Sequence, residues 1–504
     1  MAFGSGSEKG FSNLYLLVLL FVGISLFYLG TLAPTVLWGD SAFCQRAAWD
    51  GTLKPDGGGH WLWLQFARLF ASLPIGSVAL RVNLLSAVAA VVTLIFLYRA
   101  MRALELGCTG AVVACTSLTV SHTFWMHAVR AEVYTVFTAI MALQLWLWLS
   151  WRPEKPWPMY LAGCLLSISF LGHQMAVLLV PAALFLLAKR RRWFSTKDWA
   201  VFFGLFTIGL LFFVVVLFWQ TKDDNLFNTM RLYFTRADVY YTQSLFDFSL
   251  LRLPRDLVIW LGLLGLQFVG CAGLLGIYGL GKSMLRVNSW VTLLILYATG
   301  VFFAFSYRVN DQFVFYLPSY VTFSFFVARG WQRVQSHRLL KSYAARIGVL
   351  VSIVLLPIAL YSALPRLLTL FRLNPLDVRT LPGREPNQYF LWPASSDDYG
   401  AAIYAQTALQ GVAPNSAIIA DHTPLEPLRY LQTVEGVRPD VQLIKIEPGE
   451  DLRLILSDLP SGQVVYIADN NPDYYNLKLL GRACAVPFRN IYRLLVGESS
   501  EQCE

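Results

Sequence analysis

The stretch from Phe11 to Trp38 contains no charged residue, and an apolar run of that length is most readily buried in a lipid bilayer. Similar charge-poor runs recur at roughly 82–98, 106–122, 133–151, 157–172, 174–188, 199–219, 257–280, 287–306, 312–328 and 347–364, which predicts a polytopic α-helical membrane protein with about eleven transmembrane helices. The first run is too long for a signal-peptide core and no small-residue cleavage site follows it, so it is expected to be a retained anchor. Composition agrees, with 56% of the 504 residues hydrophobic and 14% charged. After about Leu391 the composition becomes that of an ordinary soluble domain. The expected division is residues 1–365 in the membrane, 366–390 as a linker, and 391–504 as a folded tail.

The net charge of +9 reports basic loops rather than nucleic-acid binding. Arg99 and Arg102, Arg152 and Lys155, Lys189 to Arg192 with Lys197, Lys282 and Arg286, and Arg329 to Arg346 mark alternate loops, and the positive-inside rule places these in the cytoplasm together with Lys9. An odd number of spans then puts the tail outside, in the periplasm of a Gram-negative host, with the bulk of the chain in the inner membrane. The weak point is 157–188, where two runs of about 23 Å must each cross a core of about 30 Å. In the first outer loop, Leu62, Phe66, Leu69, Phe70 and Leu73 recur at helical spacing, as in a helix lying along the membrane surface. A Gly-rich turn, Gly51 to Gly59, precedes it.

The tail alternates short apolar strands, Ala417 to Ala420, Val441 to Ile446, Val464 to Ala468 and Ile491 to Val496, with helical stretches, the pattern of an α/β sheet. Asp421 and Asp469 follow strands, where turn and cap roles compete with ligand binding. No CxxC pair or His/Cys cluster suggests a metal site. Cys484 and Cys503 are a candidate disulfide pair in an oxidising compartment.

On this topology Asp40, His60, Arg81, His127, Arg130, Glu132, His173, Arg308 and Asp311 all fall near the outer ends of helices. Ionisable groups at a membrane boundary are costly unless paired, hydrated or used, so the convergence marks a candidate site. Each also has a plain structural role open to it: Asp40 as a helix cap, Glu132 facing a helix N-terminus, Arg81 and Arg130 as interfacial anchors.

The sequence resembles a known family over nearly its whole length. Pro34-Thr35-Val36 with Gly39-Asp40-Ser41, Leu73-Pro74, Arg81-Val82-Asn83-Leu84-Leu85-Ser86-Ala87, Phe124-Trp125, Ala131-Glu132-Val133-Tyr134-Thr135, Leu171-Gly172-His173-Gln174, Asp311 with Val314 to Tyr320, Tyr430-Leu431-Gln432 and Glu435 to Asp440 are similar to a bacterial membrane family, long without an assigned function. That family is related to the vertebrate O-mannosyltransferase acting on plexin-type receptors, within the GT-C glycosyltransferases. The resemblance implies transfer of a sugar from a polyprenyl-phosphate donor to a protein, glycan or lipid acceptor at the extracytoplasmic face. Asp40 is then the catalytic base with Glu132 beside it, and Arg81, Asn83, Arg130, His173, His60, Asp311 and Tyr316 are the substrate-binding positions. Two departures stand out: Ala42 and Phe43 follow Ser41 where a second acid is usual, and Lys54-Pro55-Asp56-Gly57 replaces a His-Pro-Pro-Gly segment.

The chemistry suits the residues. A carboxylate can take the proton of an acceptor hydroxyl as it attacks the anomeric carbon, and guanidinium groups can hold the leaving phosphate. No phosphate-cradling Gly-rich turn precedes a helix, which argues against a soluble nucleotide-sugar donor. No cofactor or metal is expected, the lipid-linked sugar being a substrate, and the partners are that donor, the acceptor and membrane lipids, with no nucleic acid. The tail is expected to select or position the acceptor and to contribute no catalytic group. The alternative is a transporter or flippase for a lipid-linked or anionic substrate, which would place its charges near the midplane.

Overall fold

A computed structural model describes residues 5–51, 60–221, 225–235, 243–245, 247–281, 285, 287–309, 311–337, 342–373, 378–480 and 483–496. The turn centred on Lys54, Pro55 and Asp56, and Cys503, lie outside them. Every apolar run read from the sequence contains helix, but the spans are less uniform than expected. Four helices are long and apolar enough to cross a membrane, Val78–Ala103, Thr196–Gln220, Asn288–Ser306 and Tyr343–Leu370, and a fifth arises if the bent pair Leu253–Gln267 and Cys271–Gly279 is one span. The others are shorter: Leu17–Gly30, Cys108–Thr119, Tyr134–Ser150 and Trp157–Ser169 are apolar helices of sub-spanning length. At 174–188 the helix splits into a 3-10 turn, Gln174–Leu179, and an α-helix, Val180–Arg190. The pair bends by 117° at Gly270, whose φ of +62° is open to glycine at little cost.

The helices pack around Leu317–Val334, whose residues are nearly all buried. The backbone of Cys271–Gly279 approaches it at two points closely enough that small residues are required. A Cβ at Gly330 would fall 1.9 Å from the Leu275 carbonyl oxygen, and one at Gly279 would fall 1.9 Å from that of Phe326. This is the small-residue packing of membrane helices, where close backbone approach replaces the hydrophobic drive available in water. By contrast Ile208, Leu211 and Val215 on Thr196–Thr221, and Leu355 and Leu356 on Tyr343–Leu370, are exposed, as lipid-facing side chains should be.

The segment between the first two long apolar helices holds two short helices, Asp40–Asp50 and Trp61–Ala71; the second is the amphipathic helix expected there. The tail forms a five-stranded sheet in the order β2-β1-β3-β5-β4, with β1 Ala417–Ala420, β2 Gln442–Lys445, β3 Val465–Ile467, β4 Ala483–Phe488 and β5 Ile491–Val496. The first three strands are parallel and β5 pairs antiparallel with both β3 and β4. β1 is wholly buried, as befits the centre of a parallel sheet covered by helices. Four strands match the sequence reading. β4, with Pro487 in it, is an edge strand, the place where a sheet tolerates proline. Cys484 on β4 is disulfide-bonded, and the five described cysteines in the helical part are free.

Candidate active site at the helix ends beside the tail

Gly39 starts the site. Its φ of +56° lies in the region that side chains disfavour, and its N–H donates to the Thr423 carbonyl of the tail at 3.1 Å. The chain turns there directly into Asp40–Asp50, so Asp40 occupies the first helical position and the cap residue is Gly39, which has no side-chain bond to give. Asp40 is thus not a capping aspartate. Its side chain is 53% exposed, with Oδ1 3.0 Å from His422 Nε2. His422 opens the tail helix His422–Glu435, which Asp421 caps by accepting from Thr423 N–H. The tail thus places an imidazole against Asp40.

The loop that carries Asp40 is tied down by two buried amides. Gln45 accepts from Leu37 N–H and donates to Thr35 O at 3.3 Å and to Asn83 Oδ1 at 2.9 Å. Asn83 donates to Ala33 O at 2.9 Å and Thr35 O at 3.4 Å. Asn83 is 0% exposed, so its amide holds the loop rather than facing a cavity. A second lock joins the same helix to the tail: Glu426, 3% exposed at its side chain, receives Arg46 at 3.1 Å and Arg429 at 3.2 Å. Severing a buried pair of this kind typically costs about 3–5 kcal/mol.

Ser41 donates to Glu132 Oε1 at 2.9 Å, which fixes Glu132 beside Asp40. The Tyr134 phenol lies within electrostatic range of Asp311, Glu132, Asp40 and Tyr307, and its ring contacts those of His127 at 4.9 Å and His173 at 5.5 Å. Tyr134 is therefore the point on which the acids of three helix ends converge, a role its sequence position did not disclose. His173 accepts Met175 N–H on Nδ1 at 3.0 Å, which leaves Nε2 to carry the proton of a neutral ring. His60 donates to Gly172 O at 3.3 Å and its ring lies 4.9 Å from that of His173. Burial pushes His127 down to about 3, with Arg130 adding to the effect.

The expected cations bond to groups of the chain itself. Arg81 donates to the carbonyls of Ser77, at 3.2 Å, and Leu73, closing the turn before its own helix. Arg130 is buried, bonded to Ser395 Oγ at 2.8 Å and Tyr389 O at 3.0 Å, and lies 4.3 Å over the Tyr389 ring, so it is no snorkelling anchor. Tyr316 belongs to another group, within range of Asp256 and Arg308, which are themselves an ion pair. His422 and Arg46 went unread in the sequence. His422 had a signal, since it follows Asp421 at the carboxyl end of a strand; Arg46 had none, because its partner Glu426 is 380 residues away.

Residues 56–197 match a family model described as the protein O-mannosyl-transferase TMEM260 N-terminal domain. The matched stretch contains His60, Arg81, Asn83, Arg130, Glu132 and His173, but neither Asp40 nor the tail. No curated protein sequence matches the chain. Among solved structures, the apo form of ArnT from Cupriavidus metallidurans superposes with a TM-score of 0.57 at 15% identity, covering 98% of this chain and 99% of that one. The same protein bound to undecaprenyl phosphate gives 0.54 at 14% identity, covering 96% and 98%. The likeness spans both the helices and the tail. The resemblance read from the sequence therefore has the support of both comparisons: the chain shares the fold of the ArnT structures, and its residues 56–197 match the TMEM260 N-terminal domain model.

Proposed function

We propose that the chain transfers a sugar, mannose being the first candidate, from a polyprenyl-phosphate donor to an acceptor hydroxyl on the extracytoplasmic side of a bacterial inner membrane. The observation that carries this reading is Asp40: a half-exposed carboxylate held by the His422 contact on one side and by the Gly39 turn on the other. Asp40 takes the proton as the acceptor oxygen attacks the anomeric carbon, the bond from that carbon to the phosphate oxygen breaks, and polyprenyl phosphate leaves. His422 N–H donating to the carboxylate orients it. Glu132, fixed by Ser41, and the Tyr134 phenol line the acceptor side together with Asp311. His173 packs against the Tyr134 ring, and His60 against His173.

A neighbour of the same fold binds undecaprenyl phosphate, which supports a lipid-linked donor for this chain. The polytopic arrangement of about eleven membrane passes, a cytoplasmic N-terminus and an external tail belong to this proposal. Short helices such as Cys108–Thr119 would complete their passes with the residues flanking them. The acids gather at helix ends rather than along the bilayer midplane, which favours an interfacial enzyme over a transporter.

The test is reconstitution of the full chain in lipid vesicles with polyprenyl-phosphate mannose and, separately, with guanosine-diphosphate mannose. Release of polyprenyl phosphate with sugar appearing on an acceptor is expected from the first donor alone. Turnover of the nucleotide sugar without lipid would overturn the donor assignment, and directional movement of intact lipid-linked sugar without transfer would make the chain a transporter.

A further inference from the structure

The segment joining the last membrane helix to the tail has a chemistry of its own. Leu381-Pro382-Gly383-Arg384 closes a turn in which Arg384 N–H donates to Leu381 O at 2.8 Å, with proline preset for the second position and Gly383 at φ +78° in the third. Gly383 and Gly400 touch backbone to backbone, for a Cβ on Gly400 would lie 2.1 Å from the Gly383 oxygen. Beside that contact lies an open cavity of about 370 Å³ lined by Arg130, Arg384, Tyr389, Trp392 and Asp398, among others, a size suited to a small ligand.

Two guanidinium groups line this cavity with hydrogen-bonding capacity unused. Arg130 is 3% exposed and Arg384 9%, and both lie against the Tyr389 ring, at 4.3 and 4.7 Å from its centroid. Among the described residues, Arg130 Nη1 and Arg384 Nε have no hydrogen-bond partner. A buried donor left unbonded costs about 1–3 kcal/mol, and more when charged, so two in one cavity call for an acceptor from outside the chain. The nearby acids do not supply it. Glu385 caps the following helix through Asn387 and Gln388 N–H, Asp397 is exposed, and burial pushes the Asp398 carboxyl up in spite of both arginines.

We infer that Arg130 and the linker residue Arg384 together form a binding pocket for a phosphate-class oxyanion, beside the Pro382-Gly383 turn. Arginine suits this because its planar fork meets two oxygens at once. The pocket adjoins the acid cluster, since Glu132 lies within electrostatic range of the Tyr389 phenol. A phosphate held there would sit next to the site where transfer is proposed. The inference deepens the transferase reading by assigning half of phosphate recognition to the linker, so that donor binding and tail position are coupled through residues 381–400.

Equilibrium binding to the full chain in nanodiscs tests this, with farnesyl phosphate, farnesol and inorganic phosphate as probes. Wild-type protein should bind farnesyl phosphate at least tenfold more tightly than farnesol. Arg384→Gln and Arg384→Ala should each lose that preference, with farnesol binding unchanged, and Arg384→Lys should keep part of it. Competition by millimolar inorganic phosphate would assign the pocket to free phosphate, whereas its failure to compete would assign it to a lipid headgroup. Equal affinity for farnesyl phosphate in wild type and Arg384→Gln would overturn the pocket. Retained farnesyl phosphate binding by a wild-type chain that transfers sugar to no acceptor would sink the transferase reading and leave the pocket standing.

Discussion

The helix ends that face the tail and the carboxyl ends of the tail strands both gather acids, and the two sets are treated in opposite ways. In the tail, Asp421 and Asp469 are clasped by the single guanidinium of Arg379, and Tyr475 donates to Asp421 at 3.1 Å. Asp421 is 3% exposed at its side chain against 53% for Asp40. The place where ligands of open α/β sheets usually bind is here filled by a residue of the chain itself. One set is neutralised and enclosed; the other is left reachable and aimed. A carboxylate that must exchange protons with a substrate has to be accessible, and one that holds two segments together does not.

The sharpest break of that comparison is Asp40→Asn set beside Asp421→Asn. The first should lower transfer by about 10²–10⁴-fold, the usual worth of a general base, with unchanged yield and gel-filtration profile. The second should leave turnover of correctly folded molecules near wild type and lower the thermal midpoint; the reverse pattern would exchange the two roles. Arg379→Ala strands the buried Asp421 carboxylate and the half-buried one of Asp469, and should cost about 3–5 kcal/mol of local tail stability, read as faster proteolysis of residues 378–480 with the membrane helices intact.

His422→Ala is next in size. If the tail orients Asp40, kcat should fall by up to about 10²-fold through misplacement of the base while KM for the donor changes little, and His422→Gln should restore part of it. A fall equal to that of deleting Asp40 would promote His422 to a group that itself moves the proton. The smallest effect concerns His127. Its pKa is lowered in the folded chain to about 3 from 6.5, so between those values the unfolded state binds more protons and stability rises with pH. The thermal midpoint should therefore drop as pH is lowered from about 6.5 toward 4, and His127→Gln should flatten that slope by a few degrees; equal slopes would remove His127 as its source.

Helical membrane character, the amphipathic helix after His60 and four of five tail strands were legible because each depends on periodicity within one segment. Asp40, Glu132, Asp311, His173 and His60 were also legible as a group, since charge placed at the end of an apolar run is itself a signal. Arg81 and Asn83 carried the same signal and turned out to hold loops. Whether a polar group at a helix end faces a cavity or a neighbouring carbonyl depends on partners such as Leu73 and Ala33, which no local pattern specifies. The number of spans blurred for a related reason: Gly270 reads as one more small residue in an apolar run, yet it bends the chain by 117°.

The sequence by itself determined that this chain lives in a membrane and where its ionisable groups would cluster, because burying charge in lipid is so costly that the pattern is written residue by residue. The tertiary structure decided the rest: that Arg379 plugs the sheet, that Arg384 joins Arg130, and that His422 meets Asp40 across 382 positions of chain. Those pairings rest on hydrogen bonds and ion pairs effective only within a few ångströms, between segments whose approach is set by the packing of the whole molecule.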